Sequence, residues 1–137
     1  MEKRIRKHSR KRDAILACLR STPTHPSADW IYARLKPEIP DLSLGTVYRN
    51  LNLFREEGLI ASVGVVNGLE RFDADVSPHM HCICSCCGAV MDAGVATVPD
   101  GLASCAARCG EVESCRITFS GVCSHCASGA SAPDLIQ

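Results

Sequence analysis

At 137 residues, the chain has room for one ordinary domain or two small ones. No run approaches the roughly 18 apolar residues that a membrane span needs, and the charged start has no apolar segment behind it such as a secretory signal carries; the protein is read as cytoplasmic, with no membrane partner. The formal net charge of zero conceals an asymmetry: residues 1–60 carry 12 Lys and Arg against 7 Asp and Glu, a net +5, whereas residues 61–137 carry 3 against 8, a net −5. A basic half joined to an acidic one directs only the first toward a polyanion.

Taken in chain order, Arg10 to Arg20 predicts a helix with Ile15, Leu16 and Leu19 on one face. Pro23 and Pro26 interrupt it. Ser27 is a natural cap for a second helix to about Lys36, with Trp30, Ile31 and Leu35 inward, and Pro37 ends it. Ser43 caps a third, Leu44 to Glu57, whose buried stripe is Leu44, Val47, Leu51 and Phe54 and whose stop is Gly58. Leu59 to Val66, an Asn67-Gly68 turn and Leu69 to Phe72 then predict a hairpin. Three helices and a hairpin make residues 1–73 a winged helix-turn-helix.

Residues 74–78 read as a hinge. A second, smaller α/β domain follows over residues 79–128: strand around a metal knuckle from His79 to Ala93, a helix from Asp100 to about Cys109, and a strand from Val112 to Phe119. Residues 129–137 read as a flexible tail. The fold class is α+β.

Ten cysteines in a reducing compartment point to metal rather than to a disulfide framework. Cys84-x-x-Cys87 and Cys123-x-x-Cys126 offer four thiolates with the spacing of a structural zinc site; Cys82 and Cys86 beside them leave some ambiguity of register. The second half has few large apolar residues, and a zinc site contributes about 10–16 kcal/mol of apparent binding free energy to folding. His79 and His81, at i and i+2 on a strand, point to one side. They read either as surface histidines or as ligands, with His25, Asp73 and Asp92 as further candidates. Three imidazoles and two carboxylates form a hard site that suits Fe(II) or Mn(II) as well as Zn(II).

The third helix carries Tyr48-Arg49-Asn50 on the second element of the helix-turn-helix, suited to entering a major groove. The face expected to meet DNA comprises Arg12, Ser43, Thr46, Tyr48, Arg49 and Asn52. The basic lead Lys3, Arg4, Arg6 and Lys7, continued by Arg10, Lys11 and Arg12, adds phosphate attraction.

Several stretches together resemble the ferric uptake regulator (Fur) superfamily over roughly residues 8–126: Arg12-Asp-Ala-Ile-Leu16, His25-Pro-Ser-Ala-Asp29, Ser43-Leu-Gly-Thr-Val-Tyr-Arg-Asn-Leu51, Arg71-Phe-Asp73, His79-x-His81-x-x-Cys84-x-x-Cys87-Gly88 and Gly121-Val-Cys-x-x-Cys126. The resemblance implies a homodimer, a C-terminal dimerisation domain, a palindromic operator in double-stranded promoter DNA, and a regulatory metal that favours the DNA-competent shape. Within the superfamily it is strongest to the peroxide-sensing repressor (PerR) branch, whose three His and two Asp fall on His25, Asp73, His79, His81 and Asp92. That branch implies Fe(II)-dependent oxidation of a ligating histidine, at positions matched by His25 and His79, and repression without that chemistry under Mn(II).

The expectation is therefore a metal-dependent transcriptional repressor that senses peroxide, with structural Zn2+ and regulatory Fe2+ or Mn2+. The alternative is an iron, zinc or manganese homeostasis repressor. No nucleophile or base stands out beyond the ligands themselves, so the chain is read as a regulator and not an enzyme. Cys18, Cys82, Cys86, Cys105, Cys109 and Cys115 depart from the usual pattern. They are expected to serve as small buried hydrophobes, with a thiol-based or further metal-sensing site at Cys105, Cys109 and Cys115 as the alternative.

Overall fold

In the computed structural model, which describes residues 9–94, 100–112 and 115–129, the three helices of the first half start where a serine can cap them. They are α1, Arg10–Arg20, α2, Ala28–Leu35, and α3, Leu44–Glu56. Ser9, Ser27 and Ser43 precede them in extended backbone, and each side-chain oxygen accepts from the N–H three residues on; such a cap contributes about 1 kcal/mol. Gly58, at φ +75°, provides the left-handed stop after α3.

The hairpin pairs β1, Ala61–Val66, with β2, Leu69–Asp73, antiparallel. Asn67 and Gly68 at its tip both have positive φ, 52° and 80°, the combination a two-residue type I′ turn requires. Ile15 and Leu19 of α1, Ile31 and Leu35 of α2, Val47, Leu51 and Phe54 of α3 and Phe72 of β2 form one buried core. At about 1.5–3 kcal/mol for each large side chain buried, it is what holds the helices together. Trp30, Leu16 and Leu44, expected inward, are only half-buried against this core.

The chain divides between Val76 and Ser77 into two compact units. In the second, β3, Met80–Cys84, lies between β4, Val90–Gly94, and β5, Thr118–Gly121. The β3–β4 pair is antiparallel and the β3–β5 pair parallel. A parallel neighbour needs a long crossover, and that crossover contains α4, Asp100–Ala107. A short α5, Ser124–Ala127, closes the unit.

The strand expected from Val112 to Phe119 instead begins at Thr118 and runs to Gly121. Its register is set by the parallel partner, which local alternation does not reveal. The helix expected to reach Cys109 stops at Ala107, and its chain tightens into i→i+3 turns at Arg108 and Cys109. Helix α5 has no counterpart among the expected elements; four residues are too few to show a period. The basic lead through Lys7 and the tail from residue 130 lie outside the described residues.

Among the described residues of the second unit, the buried apolar side chains are Cys84 and Val90, while Leu102, Val112, Phe119 and Val122 are exposed. The described residues of this unit form almost no core of their own. Cys18 is buried as expected of a free cysteine, but Cys86, Cys105, Cys109 and Cys115 are exposed, which corrects the expectation that they fill a core. No helix among the described residues is long and apolar enough to cross a membrane.

Candidate metal centres and nucleic-acid face

Two knuckles bring four sulfurs together in the second unit. Cys84 ends β3, Cys87 lies in the turn that the Gly88 N–H closes by donating to the Cys84 carbonyl oxygen at 2.9 Å, and Cys123 caps α5, which carries Cys126. The four Sγ atoms lie within 4.8 Å of one another, and those of Cys87 and Cys123 are 3.9 Å apart. Disulfide sulfurs stand about 2.05 Å apart, whereas thiolates about 2.3 Å from one tetrahedral zinc stand roughly 3.8 Å apart. The spacing fits zinc. Cys82 and Cys86 are not members of the group.

Backbone donors favour charge on one of these sulfurs, that of Cys84. Cys84 Sγ accepts from the N–H groups of Cys123, at 3.3 Å, and Cys87, at 3.4 Å, and Cys123 Sγ accepts from that of Cys126 at 3.4 Å. The donors, Cys123 first, draw the Cys84 thiol down to about 6. Cys126 moves the other way, pushed up by hydrogen bonding to Cys123 and by burial. Four sulfurs this close do not all ionise unless a cation joins them.

The five other expected ligands form a pair and a trio, one in each unit. In the first, His25 Nε2 stands 3.2 Å from Asp73 Oδ2, and both residues are buried. The loop that carries His25 is unusual. Its φ is +56°, a conformation that costs a non-glycine residue about 1–2 kcal/mol. It persists because β2 grips the loop: the Arg71 guanidinium donates to the carbonyl oxygens of His25 and Thr24. The Phe72 N–H also donates to that of Pro26, at 3.0 Å. The second Asp73 oxygen accepts from the Asp75 N–H at 2.9 Å.

In the second unit, Asp92 Oδ1 lies 3.1 Å from His79 Nε2 and 3.5 Å from His81 Nε2. His81 and Asp92 are cross-strand partners. The Nδ1 of His79 is 2.7 Å from the Ser77 carbonyl oxygen. A carbonyl only accepts, so Nδ1 carries the hydrogen and Nε2 keeps its lone pair, the tautomer a metal ligand needs. Two donors about 2.0–2.2 Å from one ion stand roughly 2.9–3.5 Å apart, and the separations within the pair and within the trio fit that range. The donor chemistry, imidazole with carboxylate, suits a borderline or hard divalent ion.

On α3, Tyr48, Arg49 and Asn52 are exposed and Thr46 is half-buried. The Tyr48 hydroxyl donates to Asp29 of α2 at 3.1 Å, and an Arg49 Nη lies 3.3 Å from Thr46 Oγ1. Asn50, expected outward beside them, is half-buried and donates to the Thr46 carbonyl oxygen at 2.9 Å. Ser43 spends its hydroxyl on the cap and on Thr46 Oγ1, at 2.8 Å. Arg12 is half-buried and tied to Glu57 at 2.8 Å. Sequence reasoning passes over Arg71 as a functional residue; its partners are backbone carbonyls some 46 positions away, which no motif announces.

Comparison with known proteins agrees with these features. Residues 3–120 match the ferric uptake regulator family. The chain is 40% identical over 82 residues to the Peroxide-responsive repressor PerR of Staphylococcus aureus, a match that covers 60% of this chain and 55% of that protein. The chain thus spans about half the length of the curated relatives it matches. Among solved structures, the Helicobacter pylori ferric uptake regulator Fur superposes with a TM-score of 0.70 at 21% identity, over 88% of this chain and 82% of that one. The Campylobacter jejuni peroxide stress regulator does so with a TM-score of 0.66 at 28% identity, over 85% and 88%. The fold is the α+β Fur fold, and the chain belongs to the ferric uptake regulator family.

Proposed function

We propose that this chain is a metal-dependent transcriptional repressor, that it binds a palindromic operator in double-stranded DNA as a homodimer, and that it responds to peroxide. The four-cysteine group holds a structural zinc that stabilises a unit whose described residues form almost no core. His25, Asp73, His79, His81 and Asp92 are the ligands for regulatory metal, and metal binding favours the shape competent for DNA. The surface of α3 bearing Tyr48, Arg49 and Asn52 enters the major groove, with Ser43, Thr46 and Arg12 at its margin.

The observation that carries this reading is the donor set. Histidine and aspartate, with no glutamate among them, stand at ligand spacing, and the His79 tautomer is set by Ser77. Identity to the S. aureus peroxide-responsive repressor supports the peroxide assignment. When bound, Fe(II) supplies the electrons that reduce hydrogen peroxide beside the ligand histidines, chemistry that Mn(II) does not support. His25 and His79 are the positions at which oxidation would remove a ligand and release DNA.

The test uses a duplex selected in vitro with the Mn(II)-loaded protein. The chain is loaded anaerobically with Fe(II), exposed to peroxide, and followed by DNA binding and intact mass together. The expected result is loss of binding with one added oxygen on His25 or His79, and no change with Mn(II). Retained binding with intact histidines would leave an iron, zinc or manganese homeostasis repressor.

A further inference from the structure

Three consecutive residues of β2 hold three consecutive residues of the loop before α2. Arg71 donates from Nε to the His25 carbonyl oxygen and from Nη2 to that of Thr24, the latter at 2.8 Å. The Phe72 N–H donates to the Pro26 carbonyl oxygen at 3.0 Å, and Asp73 meets the His25 imidazole at 3.2 Å. The carbonyls of Thr24 and His25 belong to the two planar peptide units that flank the His25 Cα. Fixing both fixes the φ and ψ between them, and with these the direction of the Cα–Cβ bond. Pro26 by itself favours extended backbone at the residue before it, so the left-handed His25 at φ +56° has to be held by these contacts.

Arg71 is itself 3% exposed, and burial pulls its guanidinium below the ordinary arginine range. An aliphatic side chain would fill this place without the desolvation cost of a charge. What it would lack is a rigid fork able to hold two carbonyls at once.

We propose that Arg71 is a positioning residue of the regulatory site, a clamp that presets the left-handed His25 backbone so that the imidazole faces Asp73 before any ion arrives. The inference rests on the reading of His25 as a ligand for a divalent ion. A ligand loop already ordered loses little freedom on binding, so the clamp sets ion affinity and not merely fold stability. Removing a partner that orients a metal ligand costs about 10–100-fold in affinity.

The test is Mn(II) titration of the zinc-replete protein, followed by the electron paramagnetic resonance signal of the free ion well below the melting midpoint. R71L is expected to weaken Mn(II) binding by about tenfold or more. R71K, whose single ammonium does not span both carbonyls in a fixed geometry, is expected to fall between R71L and wild type. I31V, which trims the core of α2 away from the loop, is expected to lower the melting point without changing Mn(II) affinity. Hydrogen exchange is expected to show the loop amides less protected in R71L and R71K.

Wild-type Mn(II) affinity in a folded R71L protein overturns the proposal. If R71L does not fold, wild-type affinity in R71K overturns it. I31V losing as much affinity as R71K at an equal loss of stability also overturns it, because Arg71 would then act through stability alone. H25A separates the two readings. Unchanged Mn(II) affinity in H25A removes His25 as a ligand and the proposal with it; weakened affinity in H25A beside unchanged affinity in R71L removes the clamp alone.

Discussion

Arg12 in α1 reaches Glu57, the residue that caps the end of α3, at 2.8 Å, and its guanidinium lies 4.7 Å from the centre of the Phe54 ring. One side chain thus ties the first helix to the end of the third, while belonging to the face proposed to meet DNA. A partly exposed ion pair contributes about 0.2–1 kcal/mol, and a cation over an aromatic face about 0.5–1 kcal/mol at exposed sites. R12A should therefore lower stability to urea by about 1 kcal/mol, and E57Q, which keeps the ring contact, by roughly half as much. On DNA the two should part. R12A should weaken binding and reduce the salt slope by about one, whereas E57Q leaves the cation in place and should bind as wild type. Equal weakening by both in anisotropy titrations would mean that Arg12 acts by holding α3 and not by meeting phosphate.

Arg49 should be separable from such phosphate contacts. It is exposed on α3, one residue beyond Tyr48, whose hydroxyl is engaged by Asp29. Burial, and then the hydrogen bond to Asp29, raise the Tyr48 phenol above its ordinary value, so it stays neutral and oriented at physiological pH. An arginine so placed is suited to pairing with a guanine edge, worth about 1–3 kcal/mol of discrimination. R49A should weaken binding to the selected duplex and flatten the response to substitution at one base pair in each half-site. Uniform weakening across a panel of single-substitution duplexes would assign it to the backbone instead.

Features set by short-range chemistry are legible in the amino-acid sequence. The capping serines, the Asn67-Gly68 turn and the two C-x-x-C knuckles each declare their geometry within a few residues, and the fold has all of them. Features set by distant partners are not. The start of β5 depends on its parallel pairing with β3, and the half-buried place of Asn50 on a hydrogen bond back along α3. The left-handed backbone of His25 depends on Arg71, whose contacts are to main-chain atoms and so leave no side-chain pattern to read. Cys105 and Cys109 mislead for a related reason. Their i, i+4 spacing suggests one helix face, but the helix stops at Ala107, before Cys109, and both thiols are exposed.

Zinc uptake should depend steeply on pH, with a sign that follows from two thiols. Cys84 is drawn from an ordinary 9.0 down to about 6, so its ionised form adds stability that is complete above about pH 9 and is lost as pH falls through about 6. Cys126 is raised; its retained proton stabilises the ion-free fold below the ordinary thiol range, and that contribution is lost as pH rises through the raised value. Zinc requires the thiolate, so the Cys126 proton must leave on binding. With at least one proton released, apparent zinc affinity should rise by about tenfold or more per pH unit between roughly pH 7 and pH 8. A chelator competition at the two pH values measures this, and equal affinities would contradict the protonated Cys126.

The two units should fail separately, because different forces hold them. Phe54 is fully buried in the helical core, and Phe→Ala at such a site costs about 3–5 kcal/mol. Among its described residues the second unit buries little apolar surface beyond Cys84 and Val90, and it relies on its four sulfurs. F54A should lose much of the helical circular dichroism on mild heating while native mass spectrometry still finds one zinc per chain. C123S should do the reverse. It should lose zinc and the β3–β5 pairing, which Ser85 helps secure by donating its N–H to the Gly121 carbonyl oxygen at 2.7 Å, yet keep most of the signal from α1, α2 and α3. Amide exchange divided at Val76 and Ser77 would resolve the two losses. Simultaneous collapse of both units in either variant would show that zinc and the helical core support one cooperative fold, and damage at the cysteines would then reach DNA binding without passing through the regulatory ion.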